Sequence, residues 1–108
     1  KNIRSLNFIK KFSEDQNFDI SIIKSDVFMY IKKIDTEFDI IFADPPYNFE
    51  KAKYLKIISE IFKKNCIKSD GYLIIEHSSK KDFNKSHNFN KSKKYGDTSF
   101  SFFKKLTY

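Results

Sequence analysis

Cysteine, glycine, proline and tryptophan are all scarce here: 108 residues hold one Cys, two Gly, two Pro and no Trp. A single cysteine, Cys66, excludes a disulfide framework and a cysteine-based zinc site. His77 and His87 stand far apart without Cys partners and make no credible metal site. Two glycines exclude a Gly-rich phosphate loop within the chain. No apolar run approaches the ~20 residues of a membrane-spanning helix. No signal-peptide pattern is visible, so a bacterial cytoplasmic setting is the expectation.

Charge and aromatic side chains are plentiful. The chain carries 21 basic and 14 acidic residues, a formal net charge of +7, with 13 Phe and 6 Tyr. Residues 1–79 hold 13 basic and 12 acidic groups, whereas residues 80–108 hold 8 and 2. In that last section Lys80, Lys81, Lys85, Lys91, Lys93 and Lys94 alternate with Phe83, Phe89, Tyr95 and Phe100. Cations for phosphates and rings for bases suit an RNA-facing surface, with Lys91, Lys93, Lys94 and Tyr95 as candidates. Against this, Arg4 is the only arginine, and Lys, Ile, Asn and Phe are abundant together, as a bias toward AT-rich codons would produce.

Periodicity predicts alternating helices and strands. Ile3, Leu6, Ile9 and Phe12 share one helical face directly after Lys1, with no N-cap, so the chain reads as cut from something longer. Strands are expected at 20–24, 38–43 and 72–76, the last buried on both faces. A short helix is expected at 27–31, with Ser25-Asp26 as its N-cap. A longer helix spans 49–65, with Tyr54, Ile57, Ile58, Ile61 and Phe62 on its apolar face. Asp70-Gly71 is read as a turn. Two closing strands, 88–95 and 98–106, meet at a Gly96-Asp97 hairpin turn. The fold class is α/β, with a mostly parallel sheet and an antiparallel C-terminal hairpin. Ligands of such sheets bind beyond the carboxyl ends of the strands, where Asp26 and Asp44 both fall. Glu76 and His77 are read as polar residues of the surface.

Both prolines lie in Asp44-Pro45-Pro46-Tyr47, straight after an apolar strand. The residue types suit one reaction. An exocyclic amine is a poor nucleophile, because its lone pair is delocalised into the ring. The Asp44 carboxylate and the Pro45 carbonyl can each accept one of its N–H bonds and stabilise the charge that grows during attack. Two prolines hold those acceptors in place beforehand, and Tyr47 offers a face for an extruded base. The plain alternative is a strand-ending turn.

Phe42-Ala43-Asp44-Pro45-Pro46-Tyr47 resembles the signature loop of S-adenosylmethionine-dependent methyltransferases that modify amino groups of bases. The wider chain resembles the RsmD-like family, which methylates the N2 of a guanine in 16S ribosomal RNA. Besides the loop, residues 2–12, Ser25-Asp26-Val27-Phe28, Gly71-Tyr72-Leu73-Ile74-Ile75-Glu76 and the closing Lys93-Lys94-Tyr95-Gly96-Asp97-Thr98 hairpin carry the likeness. The resemblance implies a Rossmann-like fold, S-adenosylmethionine as cofactor, ribosomal RNA or the small-subunit particle as partner, and a monomer. It implies Asp44, Pro45, Pro46 and Tyr47 as catalytic residues. It also implies Asp26 on the cofactor's adenine amine, Val27 against its ring, and Asp44 shared between cofactor and base. The family's Gly-rich loop and ribose-binding acid are absent from these 108 residues. The chain then corresponds to the C-terminal portion of one catalytic domain. The family's strand order would leave a gap of two strands between 20–24 and 38–43. An adenine-N6 methyltransferase and a non-catalytic RNA-binding remnant are the alternatives.

Overall fold

The computed structural model describes residues 20–23, 27–45 and 50–105, with backbone alone at Ile20 and Val27. The helix expected at 2–12 and the Ser25-Asp26 cap lie outside the described residues. The elements are β1 (Ile20–Ile23), α1 (Val27–Lys33), β2 (Phe38–Ala43), α2 (Lys51–Lys64), β3 (Ile67–Ser78), β4 (Phe89–Tyr95) and β5 (Thr98–Phe103). One sheet contains all five strands in the order β1-β2-β3-β5-β4. The pairs β1–β2 and β2–β3 are parallel, while β3–β5 and β5–β4 are antiparallel. This is the α/β class with a closing hairpin.

The gap anticipated between the first two strands does not exist. β1 pairs directly with β2, from Ile20 opposite Ile40 to Ile23 opposite Ala43. An open strand edge carries a row of unsatisfied N–H and C=O groups, and β1 satisfies the row on β2.

The Asp70-Gly71 turn is also not there. Both residues lie inside β3, which runs twelve residues rather than five. Opposite them, β2 shifts register between Phe38 and Ile40. A Cβ at position 71 would overlap the Asp39 backbone carbonyl. Gly71 is therefore needed for a close strand approach, not for a turn. The real turn is Gly96-Asp97: Tyr95 pairs with Thr98 across it, and Gly96 takes φ 62°. A positive φ at the first of two loop residues is what a type II′ hairpin requires.

Strand alternation sorts the core into two faces. On the helix face, Ile41, Ala43, Leu73, Ile75 and Phe103 pack with Ile31 of α1, Ile34 just after it, and Tyr54, Ile57, Ile58 and Ile61 of α2. The second face carries Ile40, Phe42, Ile74, Phe100 and Phe102, with Tyr72 against them. Two lysine bonds tie the helices together: Lys64 Nζ donates to the Ile31 and Lys32 carbonyls at 2.8 and 2.9 Å. Those are final-turn carbonyls of α1, which lack helical partners, and a cation is favoured there. Asn65 ends α2 in the left-handed region at φ 59°, its N–H returning to the Phe62 carbonyl.

Candidate functional site

β2 is six residues of mostly apolar sequence, and Asp44 follows at its carboxyl end. The Asp44 N–H donates to the Ile23 carbonyl at 2.9 Å, so the chain stays in the ladder with β1 at this position. Asp44 is only 8% exposed, and Pro45 is buried as well. Pro46, Tyr47 and Asp26 lie outside the described residues, and Val27 is placed only as the first residue of α1.

Asp44 continues the second face, two residues beyond Phe42. The strand register then brings in a residue that sequence reasoning set aside. Ala43 and Ile75 are the last pair of the β2–β3 ladder, and Asp44 and Glu76 are the residues that follow them. Glu76 pairs onward with Phe100, and Phe100 with Lys93. Glu76, Phe100 and Lys93 therefore form one level row across three strands, and Asp44 follows β2 at the same end of the sheet. Tyr95 stacks edge-on against Phe100, with ring centroids 5.7 Å apart.

Glu76 and His77 are not surface residues; they are 3% and 1% exposed. β3 is a central strand between β2 and β5, and its polar end is buried along with its apolar middle. His77 faces the helices, between Phe83 at 4.8 Å and Tyr54 at 6.2 Å between ring centroids. Its Nδ1–H donates to the Ser78 carbonyl at 2.8 Å, since a carbonyl can only accept. Nε2 is then the acceptor, taking the Ser101 hydroxyl hydrogen at 2.7 Å. Burial holds the imidazole below its ordinary pKa and keeps it neutral. Cys66 is equally enclosed, and burial pushes its thiol up, which makes it inert.

The basic hairpin divides between the faces. Lys93 and Tyr95 share the face of Glu76, Lys93 in the row and Tyr95 two residues beyond it, opposite Thr98. Lys91, opposite Phe102, shares that face, and its ammonium lies 5.0 Å from the Phe102 ring centroid and 5.9 Å from that of Tyr72. Lys94, opposite Ser99, points to the helix side. The four candidates do not form one patch. Two cavities of about 400 and 450 Å³ flank the sheet, lined respectively by Lys51, Phe83 and Lys85 and by Asp70, Asn88 and Lys104. Neither includes Asp44.

A parallel sheet with an Asp-Pro loop at its carboxyl rim and an antiparallel closing hairpin is the architecture of a methyltransferase-type α/β domain. The chain belongs to the family described as Conserved hypothetical protein 95, the RsmD-like methyltransferase family, whose model matches residues 1–104. None of the curated proteins matches it. Three solved structures share the fold. The "putative methylase" of Haemophilus influenzae is 25% identical, with a TM-score of 0.57 over 75% of this chain and 52% of its own. A conserved hypothetical protein of Streptococcus pyogenes is 22% identical, with a TM-score of 0.60 over 71% and 49%. A hypothetical protein of Thermus thermophilus is 16% identical, with a TM-score of 0.52 over 64% and 36%. The chain thus spans between about a third and a half of the length of these relatives. Among the described residues no helix is long and apolar enough to cross a membrane.

Proposed function

We propose that this chain forms the catalytic-loop portion of an S-adenosylmethionine-dependent methyltransferase domain acting on the N2 amine of a guanine in small-subunit ribosomal RNA. The observation that carries the reading is Asp44-Pro45, buried at the carboxyl end of β2 in a chain of a methyltransferase family. The surroundings fit such a cofactor: the ends of parallel β1 and β2 are level, and an acid stands at their rim. Asp26 and Val27, just beyond β1, would hold its adenine ring, with Asp44 between cofactor and base. When bound, S-adenosylmethionine supplies an electrophilic methyl group.

The residues of this chain do the rest. The Asp44 carboxylate accepts one hydrogen of the target amine and the Pro45 carbonyl accepts the other. Both draw the nitrogen lone pair out of conjugation and stabilise the positive charge it acquires. Pro46 stiffens the loop, and Tyr47 stacks on the extruded base. Lys93 and Tyr95, on the same face as Asp44, take the flanking RNA, with Lys91 and Lys94 adding charge at longer range.

The test is mass spectrometry of nucleosides after the complete protein has reacted with RNA and the methyl donor. N2-methylguanosine is the expected product. N6-methyladenosine would redirect the reading to adenine, and RNA binding without methylation would leave a non-catalytic module.

A further inference from the structure

The rim of the sheet that holds Asp44 also holds a second acid for which amine activation has no use. Asp44 and the Pro45 carbonyl already account for both hydrogens of an amino group. Glu76 nonetheless stands on the neighbouring strand, on the same face, with 3% of its surface exposed. Ending a buried strand does not require a carboxylate there, and an enclosed charge is costly unless it is hydrogen-bonded. Glu76 is engaged within the fold. A carboxylate offers about four acceptor sites in all. The same row continues through Phe100 to Lys93, with Tyr95 packed on Phe100. Tyr95, an exposed ring, and Lys93, a cation, are groups that meet a base and its phosphate. His77 anchors the end of β3 to β5 through Ser101, which fixes the height of Glu76 in the row.

We propose that Glu76 accepts the N1–H of the target base and so sets guanine over adenine. This rests on the functional reading above and deepens it. On its Watson–Crick edge guanine presents N1–H beside the N2 amine, two donors side by side. Adenine presents its N6 amine beside an N1 lone pair. A third acceptor next to Asp44 and Pro45 therefore matches guanine and repels adenine. A site built around a substrate N–H rejects the analogue that lacks it far more strongly than a site built on shape alone.

The experiment uses the complete protein and two RNAs that differ at the target position, guanine in one and 2-aminopurine in the other. 2-Aminopurine keeps the N2 amine but turns N1 into an acceptor. The wild type is expected to favour guanine by roughly tenfold or more. Glu76→Gln carries an amide N–H that can donate to N1 of 2-aminopurine. It is expected to lose roughly ten- to a hundredfold on guanine while holding its rate on 2-aminopurine, so the preference collapses. Glu76→Asp keeps an acceptor and should retain the direction of preference. An E76Q variant that slows both substrates in parallel, or neither, would overturn the readout and leave the guanine methyltransferase standing. Adenine methylation by the wild type would overturn both.

Discussion

The two faces of this sheet are built from the same five strands and do different things. The helix face joins both described helices to the sheet through a cluster of fifteen buried residues. The second face has a buried cluster of five, and its carboxyl rim carries Asp44, Glu76, Lys93 and Tyr95. One residue of offset along a strand decides which face a side chain joins. Glu76 and His77 are adjacent, yet one lies in the row with Phe100 and Lys93 and the other is packed among Tyr54 and Phe83. The lesson is a division of labour: the larger buried cluster lies on the helix face, and the residues proposed for chemistry lie at the rim of the other.

The comparison breaks most visibly at Phe83. This ring, 2% exposed, holds the 79–88 segment onto Tyr54, His77 and Phe103. Phe83→Ala should cost about 3–5 kcal/mol in a denaturant titration. A cost under about 1 kcal/mol would mean that the helix face does not hold that segment. Gly71→Ala forces β3 away from the Asp39 carbonyl and should cost about 1–3 kcal/mol by the same measurement.

Charge reversal sharpens the comparison at the hairpin. Lys93→Glu should weaken RNA binding several-fold and reduce the salt slope by about one, while Lys94→Glu, on the helix side, should change it less. Equal effects would remove the distinction between the faces for RNA.

The smallest effect is that of acid. Burial lowers the His77 pKa in the folded state, so the neutral ring is the one the fold accommodates. Below about pH 6.5 the unfolded chain takes up a proton that the folded chain refuses, and stability falls as pH drops from there toward the folded pKa. Melting temperatures on either side of that value, at about pH 7.5 and about pH 5.5, should show that loss in the wild type and less of it in His77→Gln.

Much of the fold is legible in the sequence because its signals are local. The apolar run 38–43 followed by two prolines marks β2 and its end, and the period of Tyr54, Ile57, Ile58 and Ile61 marks α2. What stays hidden depends on partners distant in the chain. Asp-Gly has the composition of a turn, and only the approach of the β2 backbone shows why Gly71 belongs in a strand. Glu76 and His77 have the polarity of surface residues, and their burial involves partners distant in the chain: Phe83 and Tyr54 against His77, and Phe100 opposite Glu76. The direct pairing of β1 with β2 follows from an edge that needs a partner, which no local pattern records. The split of the lysines, by contrast, is a local property: Lys93 and Lys94 are consecutive in a strand and must face opposite ways.

The separation of chemistry from stability is tested most directly at Asp44. Asp44→Asn keeps the shape of the side chain and removes the charge proposed to activate the amine. In the complete protein, methyl transfer to RNA and the melting temperature should be measured on the same sample. The account predicts a loss of roughly 10²–10³-fold in rate with a melting temperature no lower than that of the wild type. A variant that methylates RNA at the wild-type rate, or that loses activity only as it loses its fold, would contradict it.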